Sequence, residues 1–220
     1  MLRHIAGKHQ TLLFSATLDG GIQSLVDRYQ QDPVFHEVGS PIQTVEQMAH
    51  RFLLVHEMDK HRVAAAISRS GTRCLVFTNT KRAADRLARQ LADVGVDAKA
   101  IHGDLRQEVR EKALKRFSEG KLPVLVATDV AARGLDIDEL DIVIQADPPP
   151  DPKTYLYRSG RTARAGAAGL AVTLVLWNEE LEVRRLKRRL SLDEPIVEMF
   201  SNDERLADLA NWNPAAEGAA

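Results

Sequence analysis

The stretch RCLVFTNTKRAADRLARQLADVG, from Arg73 to Gly95, joins an apolar run to a segment of helical period. The run from Arg73 to Thr78 is short and contains residue types that favour strands. Apolar side chains then recur with helical spacing up to Gly95, a residue that suits a helix C-cap. A strand followed directly by an amphipathic helix is the building unit of a parallel sheet covered by helices.

The same unit recurs through the middle of the chain. Apolar residues from Val109 to Phe117 form a second helical stripe, which ends near Gly120. The sequence therefore predicts an α/β fold with an open, mostly parallel sheet flanked by helices. Six segments are predicted as strands: Arg51–His56, Arg73–Thr78, Ala98–His102, Val124–Thr128, Ile142–Asp147 and Gly169–Leu176.

Composition limits the function classes. With 220 residues and 44% hydrophobic content, the chain can form one domain with appendages. Its 30 cations and 31 anions give a net charge of -1, so any anion binding must be local. The single cysteine, Cys74, cannot form an intramolecular disulfide, which suits a reducing cytoplasm. No apolar run approaches the ~20 residues of a membrane span, and we expect a soluble, cytoplasmic protein.

We expect four parts along the chain. We expect residues 1–35 to be the end of a preceding domain, because QTLLFSATL has the pattern of a buried strand and GIQSLVDRYQQ that of an amphipathic helix. We expect residues 36–47 to form a linker, residues 48–192 to form the main domain, and residues 193–220 to form a C-terminal tail. An apolar strand without neighbours invites edge pairing, so self-association through this N-terminal strand is expected.

Three arginines in YLYRSGRTARAG, from Tyr155 to Gly166, form a basic cluster. Arg158, Arg161 and Arg164 stand three residues apart, with no carboxylate between Asp151 and Glu179. On one helix face these guanidinium groups would repel one another, so something anionic must approach them. Either a ligand supplies the negative charge, or acidic side chains from elsewhere in the fold do so.

Polar residues follow three predicted strands. Thr78 and Asn79 follow the second strand, Gly103 follows the third, and Thr128 ends the fourth. In an open parallel sheet, ligands bind at the carboxyl ends of strands. Hydroxyl groups and helix N-termini can hold phosphate oxygens, although such residues are also ordinary helix caps.

Five motifs, in order, resemble the C-terminal half of a DEAD-box RNA helicase, a superfamily-two RecA-like motor. The resemblance extends roughly from Gln10 to Val175. The matching segments are SAT at Ser15–Thr17, LVFTNTK at Leu75–Lys81, HGDLRQEVRE from His102, VATDVAARGLDI from Val126 and YRSGRTARAG from Tyr157.

The resemblance implies a role for each matched residue. Arg161 and Arg164 would be arginine fingers that reach the γ-phosphate of ATP held by the other domain. Gly134 and Asp136 would approach the nucleotide ribose. Sequence-independent RNA binding through phosphates and 2′-hydroxyls would involve Thr78, Asn79, Gly103, Gln107, Arg110 and Thr128. Coupling between the two domains would involve Ser15, Thr17, Arg133 and Arg158.

The chain departs from the family pattern at three places. Tyr157 stands where the family usually has histidine, so a polar contact of that histidine is replaced or lost. Ala163 replaces the usual glycine between the two finger arginines. Three consecutive prolines, Pro148–Pro150, occupy a position where the family commonly has one or two, and they should stiffen the approach to Tyr157.

Two segments imitate the nucleotide-binding elements of such motors. DELD at Asp138–Asp141 precedes a predicted strand instead of ending one, so we expect a surface turn there and no metal site. Gly7-Lys8 and Gly120-Lys121 lack the Ser or Thr and the earlier Gly of a phosphate-binding loop. ATP and Mg²⁺ would therefore be held mainly by the first RecA-like domain, and this chain alone is expected to be inactive.

Two alternatives to the second motor domain stay open. The chain could be a non-catalytic RNA-binding or partner-docking module that retains the fold. It could also belong to a DNA-directed helicase of the same superfamily.

Overall fold

The computed structural model describes residues 10–14, 20–36, 48–132, 140–162, 169–214 and 216. The chain divides into two compact units, residues 1–39 and residues 40–220. In the first unit, helix α1 (Gly20–Tyr29) forms where the apolar spacing predicts a helix, and it buries Val26. Gln10–Phe14 has no regular secondary structure, and the side chains of Leu12 and Phe14 are exposed. The expectation of a buried strand is wrong for these five residues, because the described part of this unit offers no strand to pair with.

The described residues of the second unit form a seven-stranded, all-parallel open sheet, which confirms the predicted fold class. Each predicted strand is present with slightly different ends. The strands are β1 (Met48–Leu54), β2 (Cys74–Phe77), β3 (Ala98–Ile101), β4 (Val124–Ala127), β5 (Ile142–Gln145), β6 (Gly169–Val175) and β7 (Ile196–Glu198). Their order in the sheet is β3-β4-β2-β5-β6-β1-β7.

Helices cover both faces of the sheet, because successive strand residues point to opposite sides. The helices are α2 (Lys60–Ser68), α3 (Lys81–Asp93), α4 (Gln107–Ser118), α5 (Asp129–Ala132), α6 (Pro152–Ser159) and α7 (Glu180–Leu190), followed by a 3₁₀ turn (Glu204–Ala207). Cys74 and Val76 pack with α2 and α3 on one face, while Leu75 and Phe77 pack with α4 and α5 on the other. Among the described helices, none combines the length and the apolar composition that a membrane span requires.

Cys74 behaves as a core residue, as its apolar neighbours in sequence predict. Its side chain is fully buried, and the Ser68 hydroxyl lies 3.7 Å from its sulfur. Burial raises the pKa of the Cys74 thiol to about 12. The thiol therefore stays protonated and unreactive at neutral pH.

The packed domain continues beyond Leu192, where we expected a tail to begin. Strand β7 pairs with β1, and Met199, Leu206 and Leu209 are buried in the core against α2 and α3. Arg51 donates hydrogen bonds to the carbonyl oxygens of Leu209, Ala210 and Trp212. A three-residue strand and irregularly spaced apolar residues give no clear periodic signal, so the sequence alone does not reveal this extension.

The Trp212 ring reinforces the attachment of this extension. The Arg51 and Arg205 guanidinium groups lie 5.8 and 5.3 Å from its centroid, within the range of cation–π contacts. The last elements of the chain are therefore held both by burial of apolar side chains and by polar contacts to β1.

Replacing Leu206 by alanine tests whether this extension is part of the cooperative core. Leu206 is 2% exposed, so Leu206→Ala should lower the free energy of unfolding by about 2–5 kcal/mol in urea titrations. Leu181→Ala is the matched control, because Leu181 is 59% exposed and its truncation should change stability by less than about 0.5 kcal/mol. Equal effects of the two variants would contradict the observed packing.

Candidate functional site

The carboxyl edge of the sheet brings together residues that are far apart in sequence. Since all strands run in one direction, the segments that follow β3, β4, β2 and β5 emerge side by side. They carry Gly103, Thr128, Asn79 and Asp147, respectively. The predicted convergence of these polar strand ends is therefore present.

Arg158, in the last turn of α6, lies at the centre of this edge. Its side chain is 0% exposed, and its guanidinium lies 5.3 Å from the centroid of the Phe77 ring. Nε and an Nη donate to the two carboxylate oxygens of Asp129, at 2.7 and 2.9 Å, in a forked geometry. The other bonds, each 2.8 Å long, go to the Asp147 carbonyl and the Asn79 side-chain oxygen. One buried guanidinium thus joins the segments after β2, β4 and β5.

Asp147 extends the same network. Its carboxylate accepts a hydrogen bond from the Asn79 backbone amide at 2.9 Å and forms an ion pair with Lys60 at 2.9 Å. Asn79 in turn donates from its side chain to the Pro148 carbonyl at 3.2 Å. Lys60 and Arg158 therefore face two carboxylates, so the charges within this network balance.

The network shows which groups in this domain partner Arg158, one of the three clustered arginines. We expected Arg158 to take part in coupling between two domains, and within this domain its guanidinium hydrogen bonds go to Asn79, Asp129 and Asp147. For Arg158 the negative charge comes from elsewhere in the fold, which is one of the two alternatives that the sequence left open. The sequence could not reveal this, since Asp129 is 29 residues away and meets Arg158 only after the sheet forms.

The residues predicted to contact RNA share this edge but differ in exposure. Thr78 and Thr128 are buried, and the Thr78 hydroxyl donates to the Thr80 carbonyl at 3.2 Å. Gly103 and Gln107 are exposed, at the loop before α4 and at its first residue. Arg110 donates to the Ala131 carbonyl at 2.9 Å, which ties α4 to α5. The open part of the surface therefore centres on the start of α4.

Two side chains of α3 fix the loop between β3 and α4. The Lys81 ammonium lies 2.5 Å from the Asp104 carboxylate, and this hydrogen bond lowers the pKa of Asp104. Four residues along α3, Asp85 lies 3.0 Å from the His102 imidazole. These contacts were not predicted, although Lys81 and Asp85 have the spacing that places two side chains on one helix face.

The chain after α6 reaches the opposite, amino edge of the sheet. Thr162 forms a bridge to Leu140, which precedes β5, and its hydroxyl donates to the Leu140 carbonyl at 2.6 Å. Just before it, the Arg161 guanidinium lies 4.6 Å from the centroid of the Tyr157 ring. The tyrosine that departs from the family pattern thus supports an arginine predicted to be a finger.

Several predicted site residues lie outside the described residues. They are Ser15, Thr17, Arg133, Gly134, Asp136 and Arg164.

Asp141, the last residue of the DELD segment, has structural partners. Its carboxylate accepts hydrogen bonds from the Thr72 amide and hydroxyl and from the Arg73 amide, at 2.6–3.0 Å. Partial burial alone would raise the pKa of Asp141, but these hydrogen bonds lower it below its usual value. Within the described ranges, no cluster of His, Cys, Asp and Glu side chains has the arrangement of a metal site.

Known proteins share sequence and fold with this chain. The family model "Helicase conserved C-terminal domain" matches residues 56–166. The DEAD-box ATP-dependent RNA helicase CshA of Geobacillus kaustophilus is 40% identical over 215 residues, which are 94% of this chain and 46% of that protein. CshA of Bacillus subtilis is 40% identical over 190 residues, which are 86% of this chain and 38% of that protein. The chain therefore spans less than half the length of these relatives.

Solved structures show the same fold. The E. coli DEAD-box protein SrmB, bound to regulator of ribonuclease activity A, is 35% identical with a TM-score of 0.61, and the match covers 71% of this chain and 92% of that one. S. cerevisiae Dbp5 L327V, bound to RNA and ADP BeF3, is 25% identical with a TM-score of 0.74, and the match covers 90% of this chain and 54% of that one. The chain belongs to the family of DEAD-box ATP-dependent RNA helicases and contains its C-terminal RecA-like domain.

Proposed function

We propose that this chain is the second motor domain of an ATP-dependent RNA helicase that unwinds or remodels duplex RNA. The observation that carries the proposal is the Arg158 network, because it joins the segments bearing Asn79, Thr128 and Arg161 into one rigid unit. A motor domain needs such a unit so that events at a nucleotide alter the grip on RNA.

RNA binding is assigned to the carboxyl edge of β3, β4 and β2. Gly103, Gln107 and Arg110 supply an exposed glycine backbone, an amide and a cation at the start of α4, and Thr78, Asn79 and Thr128 lie at the neighbouring strand ends. These groups suit contacts to phosphates and 2′-hydroxyls and carry no base-reading pattern. The Dbp5 relative contains RNA in its solved structure, which supports the same ligand here.

Nucleotide contacts are assigned to the amino edge. Arg161 leads from α6 toward this edge, and its guanidinium rests on the Tyr157 ring. With Arg164, it would stabilise charge on the transferring γ-phosphate, while Gly134 and Asp136 would approach the ribose. Mg²⁺ and the triphosphate would be held by a first RecA-like domain, and Ser15, Thr17 and Arg133 would couple that domain to this one.

The alternative is a non-catalytic RNA-binding or partner-docking module with the same fold. A module that only binds RNA has no need for an arginine held on an aromatic ring beside a second arginine three residues later. This favours the motor domain.

The cytoplasm is the proposed compartment, consistent with the buried, unpaired Cys74 thiol. Self-association through the first 35 residues is retained as a proposal, with the exposed side chains of Leu12 and Phe14 as the contact instead of strand pairing.

The fingers are tested by ATP turnover in a reunited two-domain protein. This chain alone should show no hydrolysis, and mixing or fusing it with a first RecA-like domain should give RNA-stimulated turnover. Arg161→Ala and Arg164→Ala should each lower kcat by about 10³–10⁵-fold, the loss typical of a missing arginine finger. Arg188→Ala, an exposed arginine on α7, is the control and should leave turnover unchanged. Full activity of the double finger variant would exclude the motor assignment.

RNA binding is tested by the salt dependence of affinity. Arg110→Ala should weaken binding of a 20-nucleotide single strand about 10-fold and reduce the slope of log K against log salt by about 0.7, as expected for one lost phosphate contact. Arg116→Ala is the control on the same helix, because Arg116 pairs with Asp97. DNA of the same sequence should bind more weakly, since it lacks 2′-hydroxyls. Equal affinity for RNA and DNA of the same sequence would favour a DNA-directed helicase.

The role of Arg158 as an internal link predicts a large stability effect. Arg158→Met should lower the free energy of unfolding by about 3–5 kcal/mol, because the Asp129 carboxylate loses its buried partner and the Asp147 carbonyl and the Asn79 side-chain oxygen lose a donor. Arg158→Lys should recover little of this loss, since one ammonium cannot replace the planar fork. Arg116→Met breaks a half-exposed pair with Asp97 and should cost about 1 kcal/mol or less in the same urea titration. A similar cost for both variants would contradict this role.

A further inference from the structure

The other half of the carboxyl edge has a different chemical character from the proposed RNA-binding half. Three large apolar side chains are exposed there: Met58 at 80%, Trp177 at 81% and Phe200 at 51%. They follow β1, β6 and β7, which are neighbours in the sheet. We call these three side chains the apolar edge patch.

Strand register brings the patch residues close together. Leu54, Val175 and Glu198 are aligned across the three strands. Trp177 and Phe200 each lie two residues beyond this row, on strands separated by β1. Neighbouring strands are about 4.8 Å apart, so the backbones of Val175 and Glu198, at the ends of β6 and β7, are about 10 Å apart. Hydrogen bonds from the Ser201 amide and hydroxyl to the Asp59 carboxylate, both 2.7 Å, hold the Met58 turn beside Phe200.

Acidic residues surround the patch. The three segments 55–59, 176–180 and 198–203 contain six acidic residues and neither lysine nor arginine. Four of the acids are engaged within the domain: Asp59 with Ser201, Glu179 with the Leu176 amide, Glu180 with Arg184 and Asp203 with Arg205. Glu57 and Glu198 are exposed and make no ion pair within the described part of the chain. Their negative charge repels RNA phosphates and attracts cationic side chains.

Asn178, the residue after Trp177, lines a cleft beside the patch. The cleft lies between the three prolines Pro148–Pro150 and α7, and its volume is about 490 Å³. Its lining combines the three prolines and the buried side chains of Val183 and Leu186 with charged residues, which are Glu179, Glu182, Arg185 and Arg189. A concave space of this size with a mixed lining can accept side chains of a docked polypeptide.

We propose that the apolar edge patch binds a segment of a partner protein that carries apolar anchor residues flanked by lysine or arginine. Exposed aromatic and methionine side chains are typical anchors of protein interfaces, and the unpaired Glu57 and Glu198 specify the charge of the partner. RNA is disfavoured here, because a phosphate backbone would meet the acidic rim. This surface is independent of the RNA assignment at the start of α4.

The probe is a library of random 16-residue peptides displayed on phage and selected against the immobilised 220-residue protein. Selected peptides should be enriched in lysine or arginine next to aromatic or aliphatic residues. In fluorescence anisotropy, Trp177→Ala should weaken their binding at least 10-fold, and so should the double variant Glu57→Lys with Glu198→Lys. Val34→Ala, an apolar truncation at a 79% exposed site in the other unit, should have no effect. Thermal melts of all variants should coincide with the parent, because the changed side chains are exposed.

Four results would overturn the proposal. These are the absence of any selected peptide whose affinity depends on Trp177, selection of acidic peptides, competition by a 12-nucleotide uridine RNA, and displacement of the peptides by a separately produced first RecA-like domain. The last two would assign the surface to RNA or to the neighbouring domain. Loss of RNA affinity in Arg110→Ala with unchanged peptide binding would show that the two surfaces are separate.

Discussion

A single buried guanidinium, that of Arg158, is the contact on which the organisation of this domain depends. Burial of a charge costs free energy unless every donor finds a partner. Here the fork of Arg158 bonds with Asp129 and the remaining donors reach Asn79 and the Asp147 carbonyl. Because these partners come from three different strand ends, the segments cannot shift independently without leaving buried charges unpaired. The main effect of the polar network is thus to fix the relative positions of these three segments, and its net contribution to the free energy of unfolding is smaller.

This constraint explains how two surfaces on opposite edges of one sheet can act together. The proposed RNA-binding groups emerge at the carboxyl edge, while the chain reaches the amino edge by Thr162, four residues after Arg158. A short, well-anchored connection between the edges is what a domain needs if a nucleotide at one edge is to influence a ligand at the other. Tyr157 and Arg158, adjacent in sequence, serve the two edges separately: one supports Arg161 and the other anchors the network.

The carboxyl edge is itself divided by chemistry. Around β3, β4 and β2 it offers amides, hydroxyls and cations, whereas around β6, β1 and β7 it offers exposed apolar side chains with acidic neighbours. One fold can therefore present a surface suited to a polyanion and a surface suited to a cationic polypeptide without mixing the two. The near-neutral net charge of the whole chain conceals this separation.

By itself, the sequence determined the fold class, the six longer strands, the core-facing helices and the order of the motifs. These features depend on local periodicity and on residue types at fixed spacings, which a linear pattern contains. The sequence could not reveal that Asp129 neutralises Arg158, that the Asp141 carboxylate accepts hydrogen bonds from Thr72 and Arg73, or that Met58, Trp177 and Phe200 share one edge. Nor did it reveal the strand Ile196–Glu198, whose three residues are too few to show a period. Only the tertiary structure decided these points, because each depends on which strands become neighbours, and that order is set by packing of the whole sheet.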